Sequence, residues 1–173
     1  MKLEFKWSRL ESLTTIELYE IIKARESVFV VEQHCPYQET DDLDVHAWHL
    51  SALVNGELAA YARVIEPGIK SNQPSIGRVM SVKKFRAQGI GRALMEEAIK
   101  FIELKFPDND IKISAQVYLQ QFYTSLGFHA SGEPYDEDGL PHIDMIKSVN
   151  HTAKYWAIVQ RDYIESSLNA ADR

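Results

Sequence analysis

The chain has little of what marks secreted, membrane-spanning or nucleic-acid-binding proteins. Its single cysteine, Cys35, excludes a disulfide within the chain. No segment approaches the roughly 18 consecutive apolar residues of a membrane span, and the stretch MKLEFKWSRLESLTT lacks the apolar centre of a signal peptide. A formal net charge of −6 argues against broad binding to nucleic acid or anionic membranes. We therefore expect a cytoplasmic protein with no nucleic-acid or membrane partner.

The residues that are present fit one compact domain, because 173 residues with 45% hydrophobic content can bury a sizeable core. Apolar residues at helical spacing predict a helix that begins at Thr14 or Thr15 and another over the stretch GIGRALMEEAIKFIELKF. Strand-like runs separate them, and Asn55-Gly56 is a dipeptide favoured in a two-residue hairpin. This order predicts an α/β (α+β) fold with mixed strand pairing.

Two segments fall outside this pattern. The stretch HCPYQETDDLDVHA has no period, which predicts a long loop, ordered or partly mobile. Residues 151–168 carry aromatic and aliphatic side chains at near-helical spacing and predict an added helix that packs on the domain or on a partner subunit. We therefore place the domain at residues 1–149 and a helical extension at 150–173, with a homodimer as a candidate assembly.

A glycine-punctuated turn, Arg86-Ala87-Gln88-Gly89-Ile90-Gly91, joins a predicted strand to the second long helix. The first N–H groups of a helix have no partner within it and lie at the positive end of its dipole, so this position suits a phosphate. The third glycine of a dinucleotide fingerprint and the Gly-Lys-Ser/Thr of a Walker loop are both missing. Alone, the motif is more typical of a plain turn into a helix than of a phosphate site.

A second motif lies downstream in QVYLQQFYTSLGF, where Tyr123 precedes Gly127-Phe128 by four residues. Together the two motifs resemble the GNAT superfamily of N-acetyltransferases, and the stretches VFVVEQHCPYQETDDLD and YDEDGLPHIDM resemble its ElaA-type branch. The resemblance covers about residues 1–149. It implies a single-domain GNAT fold, with a mixed central sheet flanked by helices, and acetyl-CoA as a cosubstrate held at the glycine turn.

The resemblance also implies which residues bind acetyl-CoA. The pyrophosphate would lie on backbone N–H groups of the glycine turn, and the pantetheine arm would pair with a strand from which the next parallel strand splays away. Gln116 and Leu119 stand where the family often has Asn and Ala. The implied cofactor-binding residues are Met80, Ser81, Val82, Arg86, Ala87, Gln88, Gly89, Ile90, Gly91, Arg92, Gln116, Leu119, Phe122 and Tyr123.

The implied chemistry gives Val82 N–H the role of an oxyanion donor and Tyr123 that of an acid that protonates, or hydrogen-bonds to, the leaving thiolate. An alkylammonium acceptor has a pKa of about 10, so a base or a water relay must take its proton. We expect His142 or Glu32 as that base. Further candidates are Glu26, His46, His49, Glu137 and Asp138. The alternatives are a packing role for Tyr123, a structural histidine and solvated carboxylates.

The polar loop predicts no metal site. Its candidate ligands, which lack a recognised zinc spacing, are His34, Cys35, Asp41, Asp42, Asp44, His46 and His49. The segment CPYQETDDLD is instead similar to the branch's loop over the acceptor pocket, where acidic side chains would favour a cationic substrate. Cys35 precedes a proline and has no identified base partner, so we expect no covalent acetyl-enzyme.

The function implied is transfer of an acetyl group from acetyl-CoA to a primary amine of a small molecule or peptide, by direct attack in a ternary complex. The alternative is a non-catalytic CoA-binding sensor or interaction protein on the same fold. An intact Tyr123 and an uninterrupted glycine turn favour the enzyme.

Overall fold

A computed structural model describes residues 2–149 of the chain, so the predicted C-terminal helix lies outside the described residues. The strands are β1 (Leu3–Ser8), β2 (Trp48–Val54), β3 (Glu57–Ile65), β4 (Ser75–Ser81), β5 (Ile111–Gln116), β6 (His129–Ala130), β7 (Tyr135–Glu137) and β8 (Leu140–Lys147). They form one eight-stranded sheet in the order β1-β2-β3-β4-β5-β8-β6, with β7 also paired to β8. The β4–β5 pair is parallel and the other pairs are antiparallel. The predicted mixed sheet is therefore confirmed.

The helices are α1 (Thr15–Arg25), which continues as a π-helix over Glu26–Glu32, α2 (Ile90–Lys105) and α3 (Gln120–Thr124). Thr14 begins α1 with a capping box, in which its Oγ1 accepts from Glu17 N–H at 3.2 Å and its N–H donates to Glu17 Oε2 at 3.0 Å. The predicted first helix is therefore confirmed. Within residues 2–149, none of these helices is long and apolar enough to cross a membrane.

The two helical layers cover opposite faces of the sheet. The predicted apolar stripe of α2, which consists of Ile90, Leu94, Ala98 and Ile102, is at most 2% exposed and shares one core with Ala60 and Ala62. Burial of each large aliphatic side chain stabilises the fold by about 1.5–3 kcal/mol. Tyr61 lies between these two alanines in β3, so its side chain points to the opposite face of the sheet, where it packs with Ile21 and Val28. We call the side covered by α1 and its continuation the π-helix face.

Two hairpins have turn residues in the left-handed region. Asn55 and Gly56 have φ values of 51° and 85°, as the dipeptide predicts. Asp138 and Gly139, at 53° and 82°, turn β7 into β8. The sequence analysis did not predict β6 or β7, although Asp-Gly is a recognised hairpin signal.

The sheet opens between β4 and β5, as the family resemblance implies. Their register contains a single Cα pair, Ser75 with Lys112, and Lys112 N–H donates to Pro74 O at 3.0 Å. The β3–β4 register shifts between Tyr61 and Arg63, opposite a segment in which Arg78 has a φ of 51°. Beyond the first pair the two strands diverge, and a cleft begins between them.

The polar loop before β2 is held by buried ion pairs. The guanidinium of Arg25 is buried, with Nε 2.9 Å from Glu39 Oε1 and Nη1 2.9 Å from Asp44 Oδ1. Burial alone would raise the pKa of Asp44, but hydrogen bonds and charge from Arg25 and Arg63 outweigh it and hold that pKa below its usual value. The loop is therefore anchored to the domain through buried carboxylates.

The same carboxylates also bind arginines of β3 and β4. Arg63 Nη1 lies 2.8 Å from Asp44 Oδ1, and Arg63 Nη2 lies 3.0 Å from Asp41 Oδ2. Arg78 Nε lies 2.8 Å from Glu39 Oε1. We call this set the arginine network. Its members are Arg25, Arg63, Arg78, Glu39, Asp41 and Asp44.

Replacing Asp44 by Asn should destabilise the protein by about 3–5 kcal/mol, because two buried guanidinium groups lose a charged partner. The measurement is the free energy of unfolding in urea at pH 7. At this pH the Asp44 carboxylate contributes its full stabilisation, because a carboxylate whose pKa is lowered by folding loses that contribution only as the pH falls below about 4. Asp42→Asn is the control, because Asp42 is exposed, and its effect should stay within about 0.5 kcal/mol. Equal losses in both variants would contradict the role of the network.

Candidate active site

A single cleft of about 1130 Å³ occupies the gap between β4 and β5. It is lined by β4, the glycine turn and the start of α2, the end of β5, α3, the π-helix and the β7–β8 hairpin. All the predicted cofactor-binding residues line it except Val82 and Gln88. Two of the predicted catalytic residues from distant parts of the chain, Glu32 and His142, line it as well.

The glycine turn presents a helix N-terminus to this cleft. Gly89 is the N-cap of α2, with a φ of 77°, and no side chain caps the helix. The first N–H groups of α2 are therefore free of intrahelical or side-chain acceptors at their positive end. A Cβ on Gly91 would lie 3.3 Å from Ser81 Oγ, so glycine allows α2 and β4 to approach closely here.

Two arginines flank this N-terminus. Arg86 donates through Nη1 to Glu32 Oε1 at 2.6 Å and through Nη2 to Glu32 Oε2 at 3.1 Å. The hydrogen bonds from Arg86 lower the pKa of Glu32, so its carboxylate is already occupied and is a weak proton acceptor. Arg92 donates to Ser125 Oγ at 2.5 Å and lies over the Phe122 ring. Arg92 therefore adds positive charge beside the start of α2, whereas the charge of Arg86 is balanced by Glu32.

The prediction that Val82 N–H faces the cleft is wrong. This N–H donates to Ala59 O of β3 at 2.8 Å, on the far side of the strand. Ser81 O accepts from Arg86 Nε at 3.0 Å on the cleft side. Because successive residues of a strand direct their N–H and C=O to opposite edges, Ser81 carries the backbone donor that faces the gap.

Tyr123 is held in the wall of the cleft by aromatic neighbours. Its ring meets Phe122 edge to face at 5.1 Å and Phe128 at 6.2 Å between centroids, and its side chain is only 6% exposed. Burial, with a smaller effect from Tyr118, raises the pKa of Tyr123 to about 12. The phenol therefore keeps its proton at neutral pH and can donate a hydrogen bond.

Gln116 contacts a residue that the sequence analysis did not single out. Its Nε2 donates to Gln33 Oε1 at 3.1 Å and so joins the end of β5 to the segment just after the π-helix. The contact spans the cleft opening on the π-helix face. Only tertiary structure brings these two amides together, so no local signal identified Gln33.

His142 offers a basic nitrogen to the cleft. Its Nδ1 lies 2.8 Å from Leu140 O, and because a carbonyl oxygen only accepts, Nδ1 carries the ring hydrogen. In the neutral ring Nε2 is then free to accept a proton. Of the further base candidates, Glu137 and Asp138 line the cleft. Glu26, His46 and His49 are not among its lining residues.

Three of the four acids in the polar loop, which the family resemblance places over the acceptor pocket, already have partners within the protein. Glu39, Asp41 and Asp44 bind the arginines of the network. Cys35 is buried, and its thiol donates to Asp138 O at 3.2 Å, so its partner is a carbonyl and not a base. Across residues 2–149, no group of three or more His, Cys, Asp or Glu side chains is arranged to hold a metal ion.

Comparison with known proteins agrees with this geometry. Residues 17–149 match the family described as the acetyltransferase (GNAT) domain. The chain belongs to the GNAT acetyltransferase family. Protein ElaA of Escherichia coli K12 is 38% identical over 148 residues, which cover 83% of this chain and 97% of ElaA. UPF0039 protein sll0451 of Synechocystis is 39% identical over 147 residues, covering 84% and 96% of the two chains.

Solved structures show the same GNAT fold. An acyl-CoA N-acyltransferase from Pseudomonas aeruginosa has a TM-score of 0.80 at 42% identity, covering 85% of this chain and all of that one. The crystal structure of E. coli ElaA has a TM-score of 0.80 at 36% identity, with the same coverage of 85% and 100%. A more distant N-acetyltransferase from Thermoplasma acidophilum, solved with coenzyme A, shares the fold at a TM-score of 0.60 and 18% identity, covering 86% and 99%.

Gly91→Val should weaken acetyl-CoA binding by about 1–3 kcal/mol, because the added side chain keeps a pyrophosphate from the helix N–H groups. Isothermal titration calorimetry provides the measurement. Gly91 has no positive φ, so valine keeps the backbone conformation, and only the Ser81 hydroxyl, 3.3 Å from the new Cβ, must move. Leu104→Val, at an exposed site near the other end of α2, is the control for helix propensity and should leave affinity unchanged. Equal affinity in both folded variants would make this stretch a plain turn.

Proposed function

We propose that this protein transfers an acetyl group from acetyl-CoA to a primary amine by direct attack within a ternary complex. One observation carries the proposal: a single cleft joins an anion-binding helix start at one end to a free imidazole nitrogen at the other. The N-acetyltransferase from Thermoplasma acidophilum, solved with coenzyme A, and the acyl-CoA N-acyltransferase from Pseudomonas aeruginosa have the same fold.

The donor end would hold acetyl-CoA through backbone groups. The first N–H groups of α2 bind the pyrophosphate, and Arg92 adds charge at the rim. The N–H and C=O of Ser81 face the gap that β5 leaves, so they offer the pantetheine amides the pairing that a neighbouring strand would otherwise make. The donor therefore lies along β4, with its thioester at the centre of the cleft.

The acceptor nitrogen must lose a proton before it attacks. His142 Nε2 accepts a proton from the ammonium, and the Leu140 carbonyl holds the ring in the required tautomer. Glu32 is the poorer base of the two, because Arg86 occupies its carboxylate. The nitrogen then bonds to the acetyl carbonyl carbon as the C–S bond breaks. The products are the acetamide, the CoA thiol and one released proton.

Tyr123 would stabilise the leaving sulfur by a hydrogen bond. A thiol with a pKa of about 8.5 is a stronger acid than this phenol, whose pKa is raised to about 12, so complete proton transfer from Tyr123 is uphill. A hydrogen bond that strengthens as the thiolate forms lowers the barrier without that transfer. Solvent can supply the final proton.

Tyr123→Phe should slow single-turnover acetyl transfer by roughly 10- to 1,000-fold and leave acetyl-CoA affinity unchanged, because the lost interaction develops only as the thiolate leaves. The measurement is release of free thiol with a good and a poor amine acceptor, since a fast acceptor can mask the defect. Tyr19→Phe, on the exposed side of α1, is the matched control and should retain the parent rate.

Two outcomes would count against these roles. Parent rates for both acceptors in Tyr123→Phe would make Tyr123 a packing residue. Tight acetyl-CoA binding by the wild type with no thiol release across an amine panel would favour the non-catalytic CoA-binding protein instead.

A further inference from the structure

Four residues in adjacent strands form a row across the π-helix face. Register pairs Arg63 of β3 with Gly77 of β4 and Ser114 of β5 with Asp144 of β8. Ser75 pairs with Lys112 just before the strands diverge, so two residues further on Gly77 and Ser114 share one face. Gly77 therefore lies in the floor of the cleft, between Arg63 on one side and Ser114, followed by Asp144, on the other.

The backbone does not require a glycine at position 77. Its φ is not in the left-handed region, and a Cβ built there would have no atom within 4 Å. Among the described glycines, only Gly91 likewise lacks a positive φ, and its Cβ would meet Ser81. Gly77 thus leaves open space in the cleft, and no neighbouring atom would exclude a side chain at this position.

Most charged side chains at this end of the cleft have a partner of opposite charge. The acids of the polar loop bind the arginine network, and Asp144 Oδ2 lies 2.7 Å from Lys112 Nζ. Glu137 lines the cleft and forms no ion pair with any residue in the range 2–149; its Oε2 accepts from Ser114 Oγ at 3.1 Å. Asp138 also lines the cleft without an ion pair in that range, but of the two carboxylates Glu137 is the one held beside Ser114 by a side-chain hydrogen bond, so Glu137 is placed to meet a positive ligand.

The hydroxyl groups around Glu137 cannot satisfy every oxygen. Ser114 Oγ lies 2.5 Å from Tyr135 Oη, and Tyr135 Oη lies 3.1 Å from Asp144 Oδ1. With the Ser114–Glu137 contact there are three oxygen–oxygen contacts, but the serine and the tyrosine supply one hydrogen each. These oxygens are solvent-exposed, so they can also accept hydrogen bonds from a ligand that enters the cleft.

We propose that Gly77 and Glu137 select the acceptor, so that the protein takes a diamine in preference to an amine with a neutral tail. The inference rests on the proposed acetyl transfer. Glu137 binds the ammonium that does not react, because a carboxylate beside the reacting nitrogen would hold its proton in place. Gly77 leaves room for the aliphatic chain between the two nitrogens.

The role of the Glu137 carboxylate is tested by comparing how two amines of similar length, 1,4-diaminobutane and butylamine, bind to protein saturated with CoA. Calorimetry should show about five- to tenfold tighter binding of the diamine to the wild type. Glu137→Gln should remove this difference, whereas Glu133→Gln, an exposed neighbour outside the cleft, should keep it. No preference for the diamine in the wild type, or an unchanged preference in Glu137→Gln, would overturn the proposal.

The role of the open space at Gly77 is tested by replacing glycine with valine at either end of the cleft, at position 77 or at position 91. Gly77→Val should weaken binding of 1,4-diaminobutane at least tenfold and leave acetyl-CoA affinity unchanged, whereas Gly91→Val should show the reverse. Gly77→Ala, whose methyl group fits the open space, provides a milder variant should valine disturb the strand. Normal diamine binding in folded Gly77→Val would refute the role of glycine. Selective diamine binding without thiol release would contradict the proposed acetyl transfer but not the selection of a diamine.

Discussion

The divergence of β4 and β5 is the constraint on which the rest of the molecule depends. Two parallel strands inside a sheet normally satisfy one another's backbone groups, and an unpaired buried N–H or C=O is costly. Here pairing stops after Ser75 and Lys112, and Arg86 supplies a partner for the exposed carbonyl of Ser81. The open edge is stable only because side chains and, in our proposal, an elongated donor substitute for the missing strand.

Polar contacts on either side of the cleft fix the separation of β4 and β5. Arg78, at the irregular part of β4, is tied to Glu39, and the Gln33–Gln116 contact spans the cleft from the other side. Buried ion pairs add little net stability when compared with apolar packing, because desolvation offsets their attraction. Their contribution here is geometric, since a guanidinium with several fixed acceptors has one permitted position. The cleft is thus held open by polar groups while the α2 core provides most of the folding free energy.

Short sequence patterns predicted those features that depend on interactions between residues close together in the chain. The stripe of α2, the Thr14 cap and the Asn55-Gly56 hairpin depend on neighbours in sequence, and all three are present. The direction of Val82 N–H was missed because it depends on the β3 register and on the shift beside Arg78. The partners of three loop acids, Glu39, Asp41 and Asp44, could not be predicted either, because these arginines lie on other elements. The β7–β8 hairpin also has a local signal, because Asp138-Gly139 is a dipeptide favoured in such turns.

The π-helix after α1 has a consequence for how such a protein can change over evolution. Its hydrogen bonds run from residue i to i+5, so each hydrogen bond closes over one more residue than in an α-helix. Loss of one residue from this segment would restore α-helical hydrogen bonding and change which residues stand at the positions of Phe29, Glu32 and Gln33 in the cleft wall. Because Glu32 binds Arg86, the same change would also release an arginine beside the start of α2. Length variation in this one segment therefore offers a route to a different acceptor side of the cleft.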